Sequence, residues 1–262
     1  MQVLKKIPIN EPRFITNYHE NKVILDGNCK WHFITANSTI EYGNKGNGDG
    51  QFLDPRAVCS IYVTSSICIA DTGNDRVQVL SSKGTLKFSI GKKGSENGEF
   101  LSPSAVFADE VNLYVVDSGN NRIQVFTFDG KFLYKFGTAG NGDGQFNNPT
   151  GICKSGSEYL YVVDSGNYRI QVFSITGKYV KSFGSKVEFA APPIAIHSNR
   201  KGFLWIVDGN CVQQFDTNGK LCWKYKGQMQ NPVSIKMTMN NHVLVADRKA
   251  NCVYELELVQ YQ

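Results

Sequence analysis

The chain has 262 residues, with 28 Lys and Arg against 23 Asp and Glu for a formal charge of +5, 25 glycines, 41% hydrophobic residues and 12% aromatics. That apolar content at so small a net charge excludes a disordered chain, no apolar run approaches the roughly 20 residues of a membrane-spanning helix, and the length fits one large all-β domain or two ordinary ones. Seven cysteines, an odd number with no C-x-x-C pair, read as free thiols in a reducing, cytoplasmic compartment, and Met1–Lys6 has no secretory leader pattern.

In chain order, the first element is a lone strand, Gln2–Ile7, which belongs to no following unit. Six related units succeed it. Each begins with a proline followed three residues later by an aliphatic residue: Pro12/Ile15, Pro55/Val58, Pro103/Val106, Pro149/Ile152, Pro193/Ile196 and Pro232/Ile235. Each carries an aspartate-headed motif, at Asp26, Asp71, Asp117, Asp164, Asp208 and Asp247, with successive steps of 45, 46, 47, 44 and 39 residues. The third unit resolves into four short runs of β-branched and aromatic residues, about Ser104–Asp109, Asn112–Asp117, Arg122–Phe128 and Phe132–Phe136, punctuated by turn residues such as Asp129-Gly130. The sixth unit offers only three, about Ser234–Thr238, Val243–Asp247 and Val253–Val259. No stretch has a sustained helical period.

Four-stranded units of this length predict an all-β, six-bladed propeller in one domain spanning residues 1–262. The blades fall at about 8–42, 52–90, 100–136, 146–183, 189–226 and 229–262, with residues 1–7 completing the last. Gln2–Ile7 is therefore expected to pair as the outer strand of blade six, joining the two ends of the chain and removing an open sheet edge.

The strings Gly140-NGDGQFNNPTGI and Tyr161-VVDSGNYRIQVF resemble the NHL repeat, strongly in units two to four and weakly in five, six and one. The resemblance implies a propeller and a choice of functions. NHL propellers include the RNA- or protein-binding domains of TRIM-NHL and Brat-like proteins and a peptide-amidating lyase, and related six-bladed propellers act as lactonases. The motif arginines Arg76, Arg122 and Arg169 are matched by alignment with Cys211, Cys252 and Cys29 in the weaker blades. With Asp71, Asp117 and Asp164, those arginines are expected to serve structure, tying adjacent blades by charge-assisted hydrogen bonds.

Catalytic patterns are lacking: there is no Ser-His-Asp or Cys-His arrangement, and the Gly-rich linkers Gly43–Phe52, Gly91–Phe100 and Gly137–Phe146 lack the Lys-Ser/Thr of a phosphate loop. The three aligned cysteines would sit too far apart for one zinc ion. His19, His197 and His242, in or near first-to-second-strand turns, stand 7, 11 and 5 residues before their aspartates and so at unequal depth. No metal or other cofactor is expected, and no enzyme activity; a metal-dependent lyase or lactonase is the remote alternative.

The expected role is a monomeric binding scaffold for a protein or peptide, using the face made by linkers and second-to-third-strand turns around the channel. Single-stranded RNA is the alternative partner; neither DNA nor a membrane is expected. Candidate residues are Asp75, Asn121, Tyr168, Arg248 and Lys249 from turns, and Arg13, Lys45, Arg56, Lys92, Lys93 and Lys186 from linkers and their exits. An exposed Tyr168 could stack on a base or fill a partner's pocket, or else pack against the neighbouring linker. Residues 1–176 carry 17 basic and 17 acidic side chains and residues 177–262 carry 11 and 6, so the whole excess lies in the last third. A strong phosphate-binding face would be more concentrated.

Overall fold

The computed structural model describes residues 1–238 and 240–257, which form six four-stranded antiparallel sheets with no α-helix. Blade three, Pro103–Ala108, Leu113–Asp117, Arg122–Phe126 and Phe132–Phe136 from the axis outward, is typical. Its second strand is buried at every residue, because neighbouring blades cover both of its faces, whereas Phe132–Phe136 alternates half-buried and exposed at the rim and is buried only at Phe136. The outer hairpin turns at Gly130, whose φ of 86° lies where glycine alone is unstrained. The six innermost strands contact one another in succession, and the first (Phe14–Tyr18) touches the last (Pro232–Met237), which closes the ring. Across that junction the Ile15 amide donates to Ser234 Oγ, and Asn17 Nδ2 to the Met237 carbonyl at 2.7 Å.

Gln2–Pro8 pairs antiparallel with Cys252–Glu257 and supplies the fourth strand of blade six, as expected, with Ile7 buried against the blade. The expected run of the preceding strand to Val259 passes outside the described residues beyond Glu257.

Adjacent blades are joined by linkers that cross from rim to axis. Each linker plants one apolar side chain between blades, three residues before the proline: Ile9, Phe52, Phe100, Phe146 and Met229, with Phe189 four before Pro193. The left-handed glycine beginning a long linker, such as Gly91 at φ 86°, lies flat against that phenyl ring, where a Cβ would collide.

The motif aspartate organises each crossing. In blade three, fully buried Asp117 accepts the Leu101 amide at 2.8 Å on one oxygen, and Asn120, Arg122 Nε (2.7 Å) and Gln124 on the other. The remaining Arg122 donors hold the carbonyls of Ser95, Glu96 and Glu99, and Gln124 bridges the Glu99 carbonyl and the Gly98 amide. Asp71 with Arg76 and Asp164 with Arg169 repeat this clamp. The ion pair is thus internal to a blade, facing across one hairpin, and differs from the blade-to-blade tie expected of it; what the arginine grips is the linker arriving from the preceding blade. Direct ties between blades come from the left-handed turn residues. Asp75 accepts the Ser102 amide, Asn121 that of Asn148, and Asn251 that of Glu11.

The weaker blades lack the arginine. Cys211 and Cys252 do stand opposite Asp208 and Asp247. In blade one, however, Lys30 faces Asp26, since its hairpin is one residue shorter, and Cys29 occupies the left-handed turn position at φ 64°.

Two stability predictions follow from this closure and clamp. Deleting residues 1–8 should lower the melting temperature by about 10 °C or more, the shift that loss of roughly 3–4 kcal/mol gives in a domain of this size; an unchanged transition in calorimetry would refute the closure. Arg122→Ala strips the charge partner from a fully buried carboxylate and should cost about 3 kcal/mol in denaturant unfolding, against well under about 1 kcal/mol for the exposed Lys92→Ala.

Candidate functional site

In blades three to six the residue directly after the motif proline escapes the strand ladder, because the register shifts between Pro103 and Ala105, Pro149 and Gly151, Pro193 and Ala195, and Pro232 and Ser234; in blades one and two the same residue, Arg13 or Arg56, stands just before the inner strand and donates its amide to the Leu25 or Ala70 carbonyl. In blades three to six the bulge frees that side chain to turn toward the axis. The result is a ring of one residue per blade, Arg13, Arg56, Ser104, Thr150, Ile194 and Val233, around a cavity of about 310 Å³ at the linker end of the channel. Phe14 and Arg248 complete the lining.

The ring is chemically lopsided. Arg13 and Arg56 stand on adjacent blades and share Asp54, one on each carboxylate oxygen, and Arg248 reaches Glu11 at 3.4 Å. Three guanidinium groups thus meet two carboxylates around blades six, one and two, while Ile194 of blade five and Val233 of blade six add an apolar stretch beside them. Among the described residues, Thr150 Oγ1 and Arg13 Nε are buried without a hydrogen-bond partner. A mouth so built can hold a carboxylate against the arginines and an apolar group against the aliphatic side.

Of the candidates read from the sequence, Arg13, Arg56 and Arg248 are brought together here. The others are not. Asp75 and Asn121 are engaged as the blade-to-blade ties described above. Tyr168 is half-buried at a left-handed turn, and the Lys186 ammonium lies 5.2 Å from its ring centroid, so it packs on the neighbouring linker instead of projecting freely. Lys92 pairs with Glu99 at 3.3 Å, and Lys45, Lys93 and Lys249 are exposed outside the lining of the mouth.

The fourth residue after each proline forms a second column along the inner strands: Thr16, Cys59, Phe107, Cys153, His197 and Lys236. Lys236 was not singled out by the sequence reading, although a lysine in that column was a visible signal. With His19 and Tyr62, His197 and Lys236 line a cavity of about 450 Å³ at the opposite end of the channel. The other two histidines are held by carboxylates: His242 by Glu255 at 3.0 Å and His32 by Asp26 at 3.0 Å. His32 there takes the position of the clamp glutamine. Among the described residues no group of three or more His, Cys, Asp or Glu side chains is placed to hold a metal ion. No helix is long and apolar enough to cross a membrane.

Solved structures share this architecture. A structure titled streptogramin B lyase superimposes with a TM-score of 0.71 at 18% identity, covering 98% of this chain and 87% of that one. Virginiamycin B lyase from Staphylococcus aureus gives 0.68 at 15% identity, covering 97% and 99%. The WD40 β-propeller domain of Doa1 gives 0.65 at 10%, covering 99% and 97%. At these identities the likeness is one of fold, shared by enzymes and non-enzymes. Curated proteins yield no sequence match. A family model described as 6-bladed beta-propeller (DUF5128) matches residues 110–260, more than half the sequence. This chain belongs to that 6-bladed beta-propeller family.

Proposed function

We propose that this propeller is a non-catalytic binding module whose linker-end channel mouth takes an acidic segment of a protein or peptide partner. The observation that carries this reading is the ring itself: Arg13, Arg56 and Arg248 gathered around one shallow cavity, with Ile194 and Val233 in the same lining. Asp54 holds Arg13 and Arg56 in place, so little side-chain entropy is lost when a ligand carboxylate joins them.

The single-stranded RNA alternative is weaker on two counts. Asp54 and Glu11 dilute the basic groups of the mouth, and Tyr168 packs under Lys186 where a stacking platform would need a free ring. The lyase alternative draws on likeness of fold alone and carries no residue of this chain into a catalytic role.

A fluorescent peptide panel graded in acidity tests the proposal. Acidic peptides with an apolar residue should bind saturably, neutral and basic ones should not, and Arg56→Ala with Arg248→Ala should weaken binding about tenfold or more. In pull-downs from native extract, the partner should survive ribonuclease and be lost with the same double variant. Capture that vanishes with ribonuclease would favour RNA, and binding indifferent to both substitutions would overturn the reading.

A further inference from the structure

The opposite end of the channel differs from the linker-end mouth in one respect: it gathers basic groups and no acid. Its lining includes Lys236, Arg200, His19 and His197 together with Tyr62 and Asn17, and no aspartate or glutamate. Lys236 and Arg200 form no ion pair among the described residues, and Lys236 no side-chain hydrogen bond. Asn17 and Tyr62 already direct their donors at backbone carbonyls, Asn17 Nδ2 to Met237 and the Tyr62 hydroxyl to Asn17 at 3.0 Å, which fixes the walls.

Lys236 comes from an inner strand and sits within the ring, flanked by groups that offer it no counter-charge. Burial pushes the Cys153 thiol up to about 12, so it stays neutral at physiological pH. Burial first, and the nearby Lys236 second, pull His197 well below its ordinary value, so the imidazole is neutral there too. Burial likewise lowers Lys236 itself. A half-buried ammonium walled in by the channel and without a carboxylate is costly unless something anionic faces it. The cavity of about 450 Å³ suits a molecule of a few to a dozen or so heavy atoms.

We propose that this end of the channel is a binding site for a small oxyanion, a carboxylate- or phosphate-bearing metabolite, held by Lys236 from within and Arg200 at the lip. The inner end of the site is set by the strand column of Lys236 and His197, and the outer end by the turns that carry His19 and Arg200. Binding is non-covalent and requires no other reactant. The site lies on the face away from Arg13, Arg56 and Arg248 and does not depend on the peptide-binding reading.

The test uses the full chain with malonate and with inorganic phosphate as separate probes, titrated by calorimetry at constant ionic strength. At least one should bind saturably at one site per chain and raise the melting temperature with concentration, as a ligand of the folded state does. The two arms separate a carboxylate site from a phosphate site. Lys236→Met, which keeps the length and removes the charge, should abolish binding while leaving the protein as stable or more so. Arg200→Ala is exposed and tolerable to the fold; it should weaken binding at least about tenfold, the loss of one charge-assisted contact, and serves if Lys236→Met does not fold. Lys92→Ala, exposed and outside both cavities, should leave the affinity unchanged. No binding of either probe, or binding that survives both Lys236→Met and Arg200→Ala, overturns the proposal.

Discussion

A buried carboxylate at the end of every second strand is the constraint on which the rest of this propeller depends. Such a group is tolerable only when its oxygens are fully engaged, and in five blades one of the donors is an amide of the incoming linker: Leu53, Leu101, Asn147, Ala190, and both Gln230 and Asn231. That bond fixes where the chain turns in toward the axis. The proline and its bulge follow within a few residues, so the position of each mouth-lining side chain is inherited from an aspartate on another strand of the same blade. Blade one is the exception. Its Asp26 accepts amides of its own turn and His32, and Asn251 of blade six fixes the incoming segment through Glu11.

The clamp is complete only where the linker is long. Gly50, Gly98 and Gly144 each donate an amide to the side-chain oxygen of Gln78, Gln124 and Gln171. Blade five is entered by the short segment after Gly184, which has no such glycine, and Gln213 Oε1 is buried with no partner among the described residues. The loss of arginine has the same root: its extra donors are useful only when linker carbonyls of the kind offered by Glu96 and Glu99 stand opposite. Cys211 and Cys252 fill the space as neutral thiols, both pushed up chiefly by burial.

The architecture was legible because the repeat is written twice, in prolines and in aspartates, and because a lone first strand and a three-stranded last unit have one economical resolution. The match of Cys29 to the arginine column misled because hairpin length varies: Asp26 and Lys30 enclose three residues where Asp71 and Arg76 enclose four. At the level of the site, turn position alone could not separate a free side chain from a structural tie. Asp75 and Asn121 look like solvent-facing polar residues in sequence, yet each caps an amide of the next blade. Arg13 and Arg56 lay in the right column, but that the column converges on the axis is a property of the closed ring, which no local pattern announces. Lys236 escaped for a related reason. Strand alternation separates two faces of a sheet, whereas an innermost strand has a third environment, the channel.

The distribution of charge gains a physical sense from this geometry. In blades three and four the motif arginines are consumed by the clamp, and their axial columns hold Ser104, Thr150, Phe107 and Cys153, without a charge. The divergent blades one, five and six lack the clamp arginine and instead supply Arg13, Arg200, Lys236 and Arg248 to the two ends of the channel, with Arg56 of blade two the addition from the regular half. Basic side chains therefore line the channel ends mostly in the blades whose clamp position holds no arginine. The same residues are offset differently at the two ends, by Asp54 and Glu11 at one and by no carboxylate at the other. Three arginines against two carboxylates leave one positive charge spread across the mouth, which matches the extended acidic segment proposed for it, whereas the unpaired lysine inside the channel matches the compact anion proposed for the other end.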